Sequence, residues 1–349
     1  MNQSAAVSAS LQSRRIDFCT RAGRSDLAPL WQVLHSLVPK HPKSPAVPTM
    51  WRFADVRPYL MEAAELIGTE EAERRVLMLE NPALHGEART TGSLYAGLQI
   101  VMPGEVAPAH RHAASALRFV IEGRGGYTAV NGERAHMSPG DFVVTPSWTW
   151  HDHGNDGQEP MIWMDGLDIH IVNLLDCGFR EDYPQEVQQV ARPVGASTAE
   201  AGYNLLPMDF ERSMHTSPIF NYPYARTREA LDGLARFRDP TDTAGFKMRY
   251  INPTNGDWAI PTISTWVQLL PAGFRTSANR STDGTIYVVV EGTGRSTIGD
   301  RVFEWSPHDI FIVPSWSRAI HEATSEAVLF AASDRVVQEK LGLWREAAT

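Results

Sequence analysis

The stretch Gly104-Glu105-Val106-Ala107-Pro108-Ala109-His110-Arg111-His112, answered further along by Gly140-Asp141-Phe142-Val143-Val144-Thr145-Pro146-Ser147-Trp148-Thr149-Trp150-His151-Asp152-His153-Gly154-Asn155, decides the reading of this chain. Successive side chains of a strand alternate faces, so His110 and His112 present both imidazoles on one side. A third imidazole, His151, can join them from a neighbouring strand. Three imidazoles chelate one metal and leave other octahedral positions open, which suits a metal that must meet both a substrate and oxygen. A His-x-His pair alone is a weak signal, because polar residues recur on half-exposed strands for no functional reason. The second block supplies the weight.

Gly104 leading to His110-Arg111-His112 and Glu122-Gly123, and Gly140 leading to Pro146-Ser147-Trp148, His151 and Asn155, resemble the paired motifs of the cupin superfamily. The resemblance implies a small antiparallel β-barrel with its metal near the wide mouth. Most metal-binding cupins carry a glutamate four positions after the second histidine, where this chain has Ala116. The implied ligand set is therefore three histidines alone, as in the ring-cleaving dioxygenases of gentisate, salicylate and 1-hydroxy-2-naphthoate. A neutral set leaves the charge of a divalent cation for an anionic, bidentate substrate. Similarity to the gentisate 1,2-dioxygenase family covers nearly the whole chain, through Ala72-Glu73-Arg74-Arg75, Glu80-Asn81-Pro82, Ser93 to Gln99, Ser115 to Phe119, Thr149 to Asn155 and Asp165-Gly166-Leu167-Asp168.

The chain has 349 residues, 43% of them apolar, enough for two domains with packed cores. With 32 basic and 41 acidic residues its net charge is -9, which argues against nucleic acid or an anionic membrane as partner. Cys19 and Cys177 make no disulfide framework, Met1 to Arg15 lack a signal-peptide core, and no stretch approaches the length of a membrane span. The expected compartment is the cytoplasm.

The expected fold is mainly β: two cupin barrels of the double-stranded β-helix or jelly-roll type, behind an N-terminal helical segment. The segments are 1–90 helical, 91–179 the metal-binding barrel, 180–259 a connector, 260–335 a metal-free barrel and 336–349 a tail. Leu27, Leu30, Trp31, Leu34 and Leu37 share one helical face. A second helix is read from Pro58 to Ile67, a short third one capped by Thr69, and another from Thr227 to Arg238. Short Val, Ile, Phe and Trp runs between Tyr95 and Val172 read as strands, and the texture returns after Thr262. Gly273, Asn279-Arg280-Ser281, Glu291-Gly292 and Asp309…Pro314-Ser315-Trp316 repeat the first blocks at a spacing of about 169 residues. Asn279, Ser281 and Ala319 stand where the first copy has histidines, so the second barrel is expected to bind no metal. His321, which matches His153, reads as an ordinary polar residue.

Leu117, Phe119 and Ile121 take one face of their strand, leaving Arg118 on the other with Ala116 and Val120. That face either meets solvent or lines the barrel, and in the barrel an arginine needs an anion. The resemblance assigns Arg118 to a substrate carboxylate and brings an arginine from Arg74-Arg75 over the site. Helix-end surface charge is the alternative for that pair. Tyr95, Gly97 and Gln99 alternate on one strand and can border an aromatic ring, with Gly97 leaving room for it, or simply pack. His153 shares a face with His151 and is a candidate for proton transfer. Asp165, inside an apolar strand, wants a hydrogen-bond partner such as a substrate phenol or a histidine. Trp148 and Trp150 read as packing residues.

The resemblance implies an oxidoreductase of aromatic catabolism that takes a small aromatic acid and O2. It would hold one Fe(II) per chain in the N-terminal barrel, assemble as a homotetramer and convert gentisate to maleylpyruvate. Salicylate, its 5-substituted analogues and 1-hydroxy-2-naphthoate are alternative substrates. Two other classes compete: a non-catalytic storage or ligand-binding bicupin, which has no need of three converging imidazoles, and a Zn or Mn isomerase, which usually keeps the glutamate.

Overall fold

The computed structural model describes residues 2–212 and 214–348. They fall into two compact units, one ending at Lys43 and the other beginning at Ser44. The first holds helices α1 (Asn2–Gly23) and α2 (Leu30–Leu37). The leucine face lies on α2, which starts behind Pro29 and so excludes Leu27. Leu30, Trp31, Leu34 and Leu37 are exposed. Apolar periodicity did not reveal α1, whose sequence carries no continuous apolar stripe.

The second unit is built twice. The first copy runs β1 (Thr49–Trp51), α3 (Phe53–Leu66), α4 (Thr69–Ala72), β2 (Val76–Met78), β3 (Tyr95–Val101), β4 (Val106–His112), β5 (Ala116–Glu122), β6 (Gly126–Val130), β7 (Glu133–His136), β8 (Phe142–Thr145), β9 (His151–Asn155), β10 (Met161–Leu167), α5 (Ile169–Leu174) and β11 (Arg180–Asp182). After α6 (Ala196–Ala201) the second copy runs β12 (Asn221–Tyr222), α7 (Tyr224–Phe237), β13 (Phe246–Arg249), β14 (Ser264–Leu270), β15 (Asn279–Ser281), β16 (Thr285–Glu291), β17 (Gly294–Ile298), β18 (Arg301–Trp305), β19 (Ile310–Val313), β20 (Ala319–Ala323), β21 (Ala327–Ser333), α8 (Arg335–Lys340) and β22 (Glu346–Ala348). Each barrel pairs two antiparallel sheets. In the first, β12-β8-β5-β10-β3-β2 faces β11-β4-β9-β6-β7; in the second, β1-β19-β16-β21-β14-β13 faces β18-β17-β20-β15-β22.

The repeat is therefore longer than the barrel motifs indicate. Its second copy begins at Asn221, inside the expected connector 180–259, and the expected tail 336–349 supplies most of α8 and the edge strand β22. The copies also exchange their first strands, since β1 pairs with β19 of the second barrel and β12 with β8 of the first. The helices are exchanged too. Asp309 Oδ1 accepts the Phe53 N–H at the start of α3, and Asp141 Oδ1 accepts the Tyr224 N–H at the start of α7, both at 2.9 Å. Arg57 of α3 meets Glu122 at 2.7 Å, while Arg228 of α7 meets Glu291 at 3.3 Å. These caps start α3 at Phe53 rather than Pro58, and α7 at Tyr224 rather than Thr227; a carboxylate at a helix N-terminus satisfies an N–H that the helix leaves open. At α4, Gly68 takes the cap position expected for Thr69.

The two six-stranded sheets pack face to face. Leu117, Phe119 and Ile121 join Val267, Ile286 and Phe330 in one core, where the Phe119 and Phe330 rings stack at 4.1 Å. The opposite face of β5 lines the first barrel, so both faces of the strand are buried. That is why it reads as a nearly unbroken apolar run. Among the described residues no helix is long and apolar enough to cross a membrane.

Candidate active site

His110 and His112 lie on β4, and His110 is the direct cross-strand partner of His151 at the start of β9. The ladder slips between Ala107 and His110, a bulge beside the site that re-aims the histidine pair. One ring nitrogen from each of His110, His112 and His151 lies within 4.8 Å of the others. Nδ1 of His112 bonds the Ala114 carbonyl at 2.8 Å and Nδ1 of His151 the Thr149 carbonyl at 2.9 Å, fixing the tautomer that leaves Nε2 free to ligate. Burial is the main cause holding all three imidazoles below their ordinary pKa, with His112 down to about 4. Neutral imidazoles are the form a metal takes, and the donor set fits one.

Arg118 is 3% exposed and points into the barrel, not to solvent. It donates to Thr145 Oγ1 at 2.5 Å and to His153 Nε2 at 2.8 Å, and its Nε lies 3.3 Å from Asp165 Oδ1. Asp165 also accepts from the Trp163 indole at 3.1 Å. The partners of the buried acid are thus an arginine and an indole instead of a histidine. His153, with Nδ1 3.1 Å from Thr128 Oγ1, is driven well below its ordinary pKa by burial and then by Arg118. It is a neutral acceptor that orients Arg118. Strand alternation put Arg118 opposite the Leu117 face; it does not identify Thr145, Thr128 and Trp163, which reach the site from β8, β6 and β10.

The two neighbouring arginines separate. Arg74 extends to the Pro108 carbonyl at 2.7 Å and lies 3.1 Å from His110 Nδ1, and burial followed by the Arg118 charge lowers its pKa to about 9. Arg75 turns away. It ties the carbonyls of Ala64 and Ile67 at the end of α3 to Glu105, so its role is structural. Glu73, just before them, sits at φ 52, and its carboxylate meets Arg180 of β11 at 3.0 Å. Since Arg180 pairs with His112 in the ladder, this ion pair borders the three histidines.

Tyr95, Gly97 and Gln99 face the barrel, and across β3 and β10 they pair with Leu167, Asp165 and Trp163 respectively. A Cβ on Gly97 would come within 2.4 Å of Val76 Cγ1 and 2.9 Å of the Tyr95 hydroxyl. Those two side chains crowd Gly97, so its small size serves them before it leaves room for any ring. Gln99, 2% exposed, has an Nε2 without a partner. Trp148 and Trp150 sandwich Arg111, each ring 4.4 Å from its guanidinium, as packing on the outer face of β4.

The cupin domain family model matches residues 97–170. The chain is 54% identical to gentisate 1,2 dioxygenase 1 of Aquipseudomonas alcaligenes, over 95% of this chain and 96% of that one. It is 37% identical to 5-aminosalicylate 1,2-dioxygenase of a Comamonas species, over 93% and 88%. The crystal structure of salicylate 1,2-dioxygenase from Pseudoaminobacter salicylatoxidans with gentisate superposes with a TM-score of 0.91 at 34% identity, over 96% of this chain and 94% of that one. Aligned along almost its full length with these enzymes, and with three histidines meeting in a cupin barrel, the chain belongs to the gentisate 1,2-dioxygenase family of ring-cleaving dioxygenases.

Proposed function

We propose that this enzyme uses one Fe(II), held by His110, His112 and His151, to open gentisate with O2 and yield maleylpyruvate. The observation that carries the reading is a buried arginine, Arg118, lining the same barrel as three neutral imidazoles. Bound iron would supply a redox centre open to both an ortho-hydroxy carboxylate and oxygen, removing the spin barrier to their reaction.

The chain's own groups do the rest. Arg118 is held inside the barrel by Thr145 and His153 until a substrate carboxylate arrives. When Arg118 turns to the substrate carboxylate, the His153 Nε2 acceptor becomes available to a phenolic proton; Asp165 provides a second acceptor. Arg74, beside His110, is the cation that a metal would repel, and its release would offer a second positive group to the anionic substrate. Tyr95 borders the ring near Asp165. An added hydroxyl para to the first raises ring electron density, and Asp165 can accept from it, which favours gentisate. Salicylate, 5-substituted salicylates and 1-hydroxy-2-naphthoate are expected to be poor substrates. A cytoplasmic tetramer completes the reading.

The test is anaerobic loading with Fe(II), then oxygen uptake and product analysis with this set of 2-hydroxybenzoates. A higher kcat/KM for salicylate or a 5-nitro or 5-halo analogue than for gentisate would overturn the substrate and leave ring cleavage intact.

A further inference from the structure

The second barrel is not simply packed solid. Tyr287 pairs with Ala331 in the register where Arg118 pairs with Asp165, and Trp266 takes the place of Gly97. Yet a cavity of about 80 Å³ remains, lined among others by Lys247, Trp266, Gln268, Thr276, Tyr287 and His321. We propose that this cavity binds a small carboxylate, a site separate from the metal-centred one.

The argument rests on which polar groups are already satisfied. Asp283 accepts from Thr285, Ser333 and Trp344, and Glu346 accepts from Asn279. Both acids are engaged. The donors are not. The Trp266 indole N–H has no partner although the residue is only 2% exposed, and an indole can only donate. The Tyr287 hydroxyl bonds nothing among the described residues. His321 Nδ1 lies 2.8 Å from Ser296 Oγ, which also accepts from Trp305. The tautomer that fits carries its proton on Nε2, adding a donor. Lys247 reaches over the Trp266 ring at 4.0 Å from the rim, without an ion-pair partner among the described residues. Donor-only groups beside a cation that lacks an ion-pair partner call for an anionic acceptor. A carboxylate meets that description, and Trp266 and Tyr287 give its carbon skeleton an aromatic wall. Two arginines also line the cavity, but Arg335 is paired with Glu339 and Arg280 lies over the Trp316 ring.

The probe is trifluoroacetate, a carboxylate small enough for a cavity of this size, followed by 19F NMR on the full-length protein without turnover, so the outcome is independent of metal and of substrate choice. Saturable binding is expected, weakened ~10-fold or more by Trp266→Phe, which keeps the ring and removes the N–H, and by Lys247→Met. Arg118→Met, in the first barrel, should leave this bound signal in place. Absence of saturable binding up to about 10 mM overturns the proposal, as does a signal lost in Arg118→Met and unchanged in Lys247→Met and Trp266→Phe. Equal competition by inorganic phosphate overturns the carboxylate assignment. If circular dichroism shows Trp266→Phe unfolded, Lys247→Met at the exposed rim decides the matter by itself.

Discussion

The two barrels keep the same scaffold and opposite interiors. In both, the tryptophan of a Pro-Ser-Trp turn adopts a left-handed backbone, Trp148 at φ 59 and Trp316 at φ 61. In both its N–H donates to the carbonyl at the end of the facing strand, His112 or Ser281, at 2.9 and 2.6 Å. In both its ring takes an arginine, Arg111 at 4.4 Å and Arg280 at 4.7 Å. The second copy holds this turn without any of the three histidines, so the turn serves the fold. Inside, Gly97, Arg118, Thr145 and Asp165 face Trp266, Tyr287, Val313 and Ala331 in the matching registers. At these positions the first interior carries an arginine–aspartate pair and the second carries aromatic rings. A barrel of this size can be stabilised either way, and among the described residues only the first brings three histidines together beside its arginine.

The largest effect that could break this contrast is metal content. Alanine at His110, His112 or His151 should abolish bound metal and turnover together, whereas Asn279→Ala and Ser281→Ala should leave metal at one per chain. Metal analysis of the variants decides it. Two equivalents in the unmodified chain would mean that the second barrel has been misjudged.

Next comes the buried pair. Asp165→Ala strands the Arg118 charge and is expected to cost about 3–5 kcal/mol of stability, since breaking a buried pair leaves an uncompensated ion. Copying the second barrel with Arg118→Tyr and Asp165→Ala together should recover much of that stability while gentisate turnover stays lost. Denaturant unfolding and oxygen uptake separate the two effects. A double variant no more stable than Asp165→Ala would show that the interiors are not interchangeable.

Smaller and symmetric effects are expected at the exchanged helices. Asp141→Ala and Asp309→Ala each remove one carboxylate cap, with a cost of about 1 kcal/mol apiece. Their sum should hold in the double variant, because the caps lie at different helices. Strong non-additivity in urea unfolding would instead make the exchange one cooperative lock.

The smallest effect concerns pH. Asp168 bonds the Ser115 N–H and the Thr262 hydroxyl, linking the end of β10 to the segment before β14, and burial pushes its pKa up to about 6. A carboxyl with a raised folded pKa favours folding in its protonated form. Its contribution is present in full below the ordinary carboxylate value and is lost as pH rises through about 6. Stability from this group should therefore increase as pH falls from 7 towards 5, and Asp168→Asn should flatten that part of the melting-temperature profile. An unchanged slope would count against the burial argument.

The sequence by itself determined the histidine triad, the strand runs, the repeat and the enzyme family. The triad, the strand runs and the repeat follow from alternation and spacing, which are properties of a strand wherever it is placed, whereas the family follows from the resemblance of its motifs. Alternation also put Arg118 opposite Leu117 and Phe119, but whether that face met water or a barrel interior depended on strands β3, β8 and β10 closing around it. Only the tertiary structure separated Arg74 from Arg75, because the carbonyls and the glutamate that claim Arg75 come from α3 and the β3–β4 turn. The same holds for the starts of α3 and α7. Each is capped by an aspartate of the other copy, 256 positions away for Phe53, and no local pattern can announce a partner that folding brings from so far. Spacing sets which side chains can share a face; closure of the chain on itself sets which of them lose water and must find a partner.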